Sequence, residues 1–160
     1  MNNQTRICAV AALLLFPAVA AMMGNALAQD GNGLAGTYTA AVNAQFGDKV
    51  RGQLILSQDG HYSLNLARAT LPKIVAGARD KGTSEENKAI VGGAIFHYGK
   101  YTVDPQEKTI TFNVEASSFP NWDGTAFKRP FKLSGDQLTY TNAAPSGGGV
   151  ANDVVWTRIK

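Results

Sequence analysis

The chain has 160 residues, with 15 Lys and Arg against 12 Asp and Glu and a formal charge of +3. The basic residues are scattered between acids, which excludes the basic stripe with interleaved aromatics that a nucleic-acid surface requires. A single cysteine, Cys8, excludes an internal disulfide framework.

Residues 1–28 read as a secretory signal. Met1 to Arg6 is short, polar and positively charged, Ile7 to Met23 is apolar apart from Pro17, and Ala26-Leu27-Ala28 places small residues at the two positions that signal peptidase reads. An uncleaved anchor would need about 20 apolar residues to cross the hydrocarbon. Cleavage after Ala28 is therefore expected, with residues 29–160 working in the periplasm or outside the cell and no stable membrane insertion afterwards. Cys8 lies too early for the site at which bacterial lipoproteins are cut and acylated, so a lipid anchor is not expected. Losing Arg6 takes the charge from +3 to +2, and the 132 residues left (160 minus 28) form one domain. A domain of that size buries about two thirds of its extended-chain surface and folds without cross-links.

Eight short segments rich in β-branched and aromatic residues follow, each bounded by Gly, Asp, Asn or Pro, the pattern of sequential hairpins. The first spans Thr37 to Gln45 and ends in Phe46-Gly47-Asp48-Lys49. The second, Val50 to Ser57, meets Gln58-Asp59-Gly60, where Asp-Gly suits the positive φ of a tight hairpin, and the third is His61 to Ala67. Between Ala69 and Ile95 the alternation lapses. Thr83 or Ser84 can cap a helix there, Glu85 and Glu86 suit its first turn and Gly92-Gly93 can end it, which predicts a helix over Ser84 to Val91. Strands then fall at Phe96 to Val103, Thr109 to Ser117, Ala126 to Leu133, Gln137 to Asn142 and Asp153 to Ile159. Eight antiparallel strands can close a barrel and so remove exposed edges. At that strand number the interior is either filled by side chains or just wide enough for one small ligand.

At this point the residues resemble a known family, the bacterial and fungal lipocalin-like domain proteins. The resemblance is densest in Tyr98-Gly99-Lys100-Tyr101-Thr102-Val103-Asp104 and continues through Val114 to Thr125, Arg129 and Leu133-Ser134-Gly135-Asp136-Gln137-Leu138. It covers nearly all of the chain after the signal. Gly36-Thr37-Tyr38 is similar to the family's Gly-Thr-Trp opening, and Val155-Trp156-Thr157-Arg158 to its closing Trp and Arg. The resemblance implies an all-β, eight-stranded antiparallel lipocalin-like barrel with a short helix between strands three and four. Its ends should meet, Arg158 stacking on Tyr38, so Tyr38, Trp156 and Arg158 read as structural. Tyr38 replaces the more usual Trp, and Asn113 stands where many relatives carry His.

Alternation places Phe127, Arg129, Phe131 and Leu133 on one face of strand six and Ala126, Lys128, Pro130 and Lys132 on the other. Arg129 thus points inward with the apolar set, where a buried guanidinium needs a carboxylate, carbonyls or water. Glu115 on the preceding strand is the nearest partner, although a slip of one residue in register would put it on the opposite face. The pair reads either as a polar anchor for an anionic or hydroxylated ligand or as a structural ion pair. Trp122, in the loop Phe119 to Gly124, either covers one mouth of the barrel or packs as a stiff corner. Tyr62, Tyr101 and Tyr140 are candidate lining residues or core fillers. His97 completes the candidate ligand-binding set of Tyr62, His97, Tyr101, Asn113, Glu115, Trp122, Arg129 and Tyr140.

His61 and His97 without mature cysteines predict no metal site. No Gly-x-Ser-x-Gly elbow, Cys–His pair or phosphate-binding glycine loop occurs, and Ala144 to Gly149 joins two strands with no helix terminus behind it, so no catalytic residue and no cofactor are assigned. The leading expectation is an exported binding protein for a small hydrophobic or amphipathic molecule held in the barrel. Two alternatives stand beside it. One is an isomerase or cyclase in which Glu115, Arg129 or His97 moves or steers protons. The other is a structural or interaction module of the cell envelope with a filled barrel.

Overall fold

The computed structural model describes residues 33–47 and 49–160; the expected signal, 1–28, lies outside the described residues. Eight antiparallel strands pair in chain order and close into a barrel: β1 (Gly36–Asn43), β2 (Val50–Leu56), β3 (His61–Arg68), β4 (Ala94–Asp104), β5 (Thr109–Ser117), β6 (Ala126–Ser134), β7 (Gln137–Asn142) and β8 (Asn152–Arg158). Every expected strand is present. The first ends at Asn43 instead of Gln45, because the Asn43 side-chain oxygen accepts the Gln45 backbone N–H at 2.9 Å and turns the chain out of the sheet.

Tight turns close one end. At Asp59-Gly60, Gly60 takes φ 85°, and at the β4–β5 corner the Asp104 carboxylate accepts the N–H groups of Gln106 and Glu107 at 3.0 and 2.9 Å. The opposite end, hereafter the mouth, carries four longer connections, 44–49, 69–93, 118–125 and 143–151. The second of these holds a helix, α1 (Ser84–Val91), opened by a capping box in which Thr83 Oγ1 accepts the Glu86 N–H while Glu86 accepts that of Thr83. The helix thus occupies the expected residues.

Alternate residues of each strand face inward and fill the barrel. Tyr38, Leu54, Leu56, Ile110, Phe112, Leu138 and Trp156 are almost completely buried, each contributing about 1.5–3 kcal/mol through apolar burial. The barrel closes where β1 meets β8. The Arg158 guanidinium lies 4.8 Å from the centre of the Tyr38 ring and donates to the carbonyls of Ala35 and Gly33, while the Tyr38 hydroxyl donates to Leu34 at 2.7 Å. Tyr38, Trp156 and Arg158 are accordingly structural.

One irregularity interrupts the pairing of β4 with β5. Gly99 pairs with Val114, but Tyr98 pairs with Ala116, so Glu115 is an extra residue opposed by none on β4. A Cβ on Gly99 would lie 2.1 Å from the Asn113 carbonyl oxygen, a contact only glycine avoids. The bulge lets the two strands cross closely and changes the in–out alternation only beyond Glu115.

Candidate functional site at the barrel mouth

Arg129 sits in the middle of β6, opposite Ile110 of β5, and is only 7 % exposed. Its guanidinium carbon lies 5.1 Å from the centre of the Tyr140 ring, 5.2 Å from Phe127 and 6.0 Å from Phe112. The three ion pairs among the described residues, His61–Asp59, Lys128–Glu107 and Lys160–Asp136, are all at the surface, and none includes Arg129. The expected Arg129–Glu115 pair does not form. Glu115 is the bulged residue of β5 and exposed, so it cannot reach a guanidinium inside the barrel. Asn113, also exposed, points outward because Phe112 and Val114 take the inward positions; both residues leave the candidate site.

Aromatic faces repay only part of the cost of burying Arg129. Cation–π contacts are worth up to about 2 kcal/mol each when desolvated, against a penalty of several kcal/mol for the ion and the hydrogen bonds its N–H groups forgo. Burial lowers the Arg129 pKa from its ordinary value, with the nearby Tyr140 and Tyr62 hydroxyls opposing the shift. The group stays cationic, because an arginine does not give up its proton in a protein.

Beside it, the Tyr62 hydroxyl and His97 Nδ1 are 2.8 Å apart. His97 is 4 % exposed, and burial, with help from the Arg129 charge, pulls its pKa down to about 3, so the imidazole is neutral at pH 7. Burial also pushes the Tyr62 phenol well above its usual pKa. A protonated phenol with no other acceptor among the described residues donates to Nδ1, which assigns the imidazole proton to Nε2. Phe112 and Trp122 hold the ring edge-on at centroid distances of 6.4 and 5.7 Å.

His97, Arg129, Tyr140 and Trp122 line a cavity of about 20 Å³ whose outer wall is Phe46, Gln45 and Ser146. That is room for a water molecule and not for an organic ligand. The sequence reading missed Phe46, although a bulky aromatic in an otherwise polar turn was its signal. Phe46 is 5 % exposed and folds into the mouth as a stopper, while Gln45 Nε2 donates to Ser146 Oγ at 3.3 Å and ties the β1–β2 loop to the β7–β8 loop. Outside the stopper, Phe46, Ile95, Phe119 and Val91 line a vestibule of about 180 Å³ that shares Gln45, Phe46, Ile95 and Ser146 with the inner cavity.

Trp122 stands in a single 3-10 turn, Pro120–Trp122, with ring centroids 5.0 Å from Phe127 and 5.8 Å from Phe119. It forms both a corner of the chain and part of the cavity wall. Tyr101 lies toward the turn end of the barrel, where its hydroxyl donates to the Ser57 carbonyl at 2.8 Å, and it fills the core away from the mouth. Among the described residues no three His, Cys, Asp or Glu side chains gather to hold a metal. No described helix is long and apolar enough to cross a membrane.

A family model described as lipocalin-like domain matches residues 37–159, the whole barrel. The chain belongs to this family. Its barrel can be set beside the solved structure of the lipoprotein YedD from Klebsiella pneumoniae subsp. pneumoniae MGH 78578, with 13 % identity over 83 % of this chain and 77 % of that one and a TM-score of 0.45. No curated protein matches the sequence. Within this lipocalin-like barrel, then, four of the eight expected site residues, His97, Trp122, Arg129 and Tyr140, share one cavity, and Tyr62 joins them through its hydrogen bond to His97.

Proposed function

We propose that this lipocalin-like protein is exported, with residues 1–28 removed, and that it binds a small amphipathic molecule through the mouth of the barrel, polar end inward. A single observation carries the reading: a buried guanidinium without a carboxylate partner faces a cavity that an apolar vestibule adjoins. An unpaired buried charge costs folding free energy, and a ligand that pairs with it offsets that cost. The ligand does not lie along the barrel axis, which side chains already fill. Its polar end passes the Phe46 stopper and its apolar part stays in the vestibule. Among the described residues no carboxylate faces the cavity, and a histidine with a pKa near 3 is a poor base at neutral pH, so proton-transfer chemistry finds less support than binding.

The test is to incubate purified protein with a lipid extract, re-isolate it and identify what co-purifies by mass spectrometry. Stoichiometric recovery of an amphipathic small molecule is expected. Protein that stays empty against extracts of varied composition would contradict the reading.

A further inference from the structure

We infer that the inner cavity is a monocarboxylate site, in which the Arg129 guanidinium and the Nε2–H of His97 grip the two oxygens of a carboxylate that ends a short apolar chain. The inference rests on the binding reading above and names the chemical class it left open.

Three features of the cavity select that chemistry. Arg129 is 7 % exposed, cationic and without a carboxylate among the described residues, and its planar fork of N–H donors matches a carboxylate in two parallel bonds. His97 adds a donor without adding a charge, since its Nδ1 is occupied by Tyr62 and its Nε2 has no partner among the described residues. The charge count is therefore one. A monoanion neutralises it, whereas a phosphate dianion would leave a full negative charge uncompensated in an aromatic-walled interior.

The surroundings define the rest of the ligand. With Phe46 in place the cavity of about 20 Å³ holds no more than a water; with Phe46 displaced it joins the vestibule of about 180 Å³ walled by Ile95, Phe119 and Val91. A small, flat head at Arg129 with a slender apolar tail toward Ile95 and Phe119 suits that joined space. The head reaches Arg129 once the Gln45–Ser146 hydrogen bond opens and Phe46 swings aside, which costs one long, part-buried hydrogen bond between two loops and the apolar contacts of Phe46.

Octanoate, 1-octanol and acetate titrated calorimetrically into the purified protein and its R129M variant at pH 7 test the assignment. Wild-type protein is expected to bind octanoate at least tenfold more tightly than 1-octanol, and R129M to remove that preference. The variant R129K, which keeps the charge on a different stem, should retain a reduced preference and serves if R129M does not fold. Equal affinity for octanoate and 1-octanol in wild-type protein would overturn the carboxylate assignment while leaving amphipath binding intact. Acetate binding that needs Arg129, without any octanoate binding, would support the head-group site and overturn the apolar tail. Binding of none of the three would overturn both proposals.

Discussion

Lowering the pH from 7 to 5 should weaken the fold through one side chain. His97 has a pKa of about 3 in the barrel, lowered first by burial and then by the Arg129 charge, whereas a histidine in the unfolded chain titrates near 6.5. Between those values the unfolded state holds a proton that the folded state does not, so stability falls as the pH falls and is complete only above about 6.5. The slope approaches about 1.4 kcal/mol per pH unit once the unfolded histidine is mostly protonated, and integration from pH 7 to pH 5 gives a loss of about 2 kcal/mol. Carboxylates contribute little in this window, because ordinary Asp and Glu titrate lower, near 4. Urea denaturation of wild-type protein and H97N at pH 7, 6 and 5 isolates the effect, asparagine retaining an acceptor for the Tyr62 hydroxyl but no titration. The wild-type protein should lose about 2 kcal/mol more than the variant, at constant m-value. Parallel losses in the two proteins would refute a neutral imidazole held by burial next to a cation.

Replacing Arg129 with Met should leave stability unchanged or raise it by up to about 2 kcal/mol, since it removes a buried charge with no counter-ion; a loss of 3–5 kcal/mol, the usual result of breaking a buried ion pair, would show that the guanidinium has a partner in the fold. Glu115→Gln should change stability by less than about 0.5 kcal/mol and leave ligand retention untouched, because Glu115 shares the solvent face with Asn113; a larger change in either would return it to the barrel. Gly99→Ala should cost about 3 kcal/mol or more in urea denaturation, because its Cβ would meet the Asn113 carbonyl at 2.1 Å and backbone must shift; near-neutral behaviour would contradict the close crossing of β4 and β5.

Much of this architecture is legible along the chain. Period-two alternation, punctuated by Asp59-Gly60 and Ser134-Gly135-Asp136, locates all eight strands, and the Thr83–Glu86 box locates the helix, because each is decided by neighbours in sequence. The inward direction of Arg129 follows from the same alternation. The outward direction of Glu115 needs the register as well: Ile110 faces inward opposite Arg129, so Glu115, five residues on, lies on the other face. What strand periodicity does not encode is the bulge itself, which changes the alternation only beyond Glu115 and whose position depends on how closely Gly99 lets β5 approach. The fullness of the barrel is likewise hidden, since alternation says which side chains face inward but not how their volumes add up around a closed circumference. Phe46 reaches the mouth only because Asn43 bends the chain there, and the tie between Gln45 and Ser146 spans 101 residues.

The account depends most on Arg129 being a buried cation that looks into an enclosed space with nothing of opposite charge beside it. A crystal structure of the protein soaked in bromide, with anomalous data, examines this directly. The expected result is a bromide peak in contact with the Arg129 guanidinium, inside the stopper formed by Phe46. A guanidinium paired with a carboxylate of the protein itself, and no anomalous peak in the cavity, would contradict it.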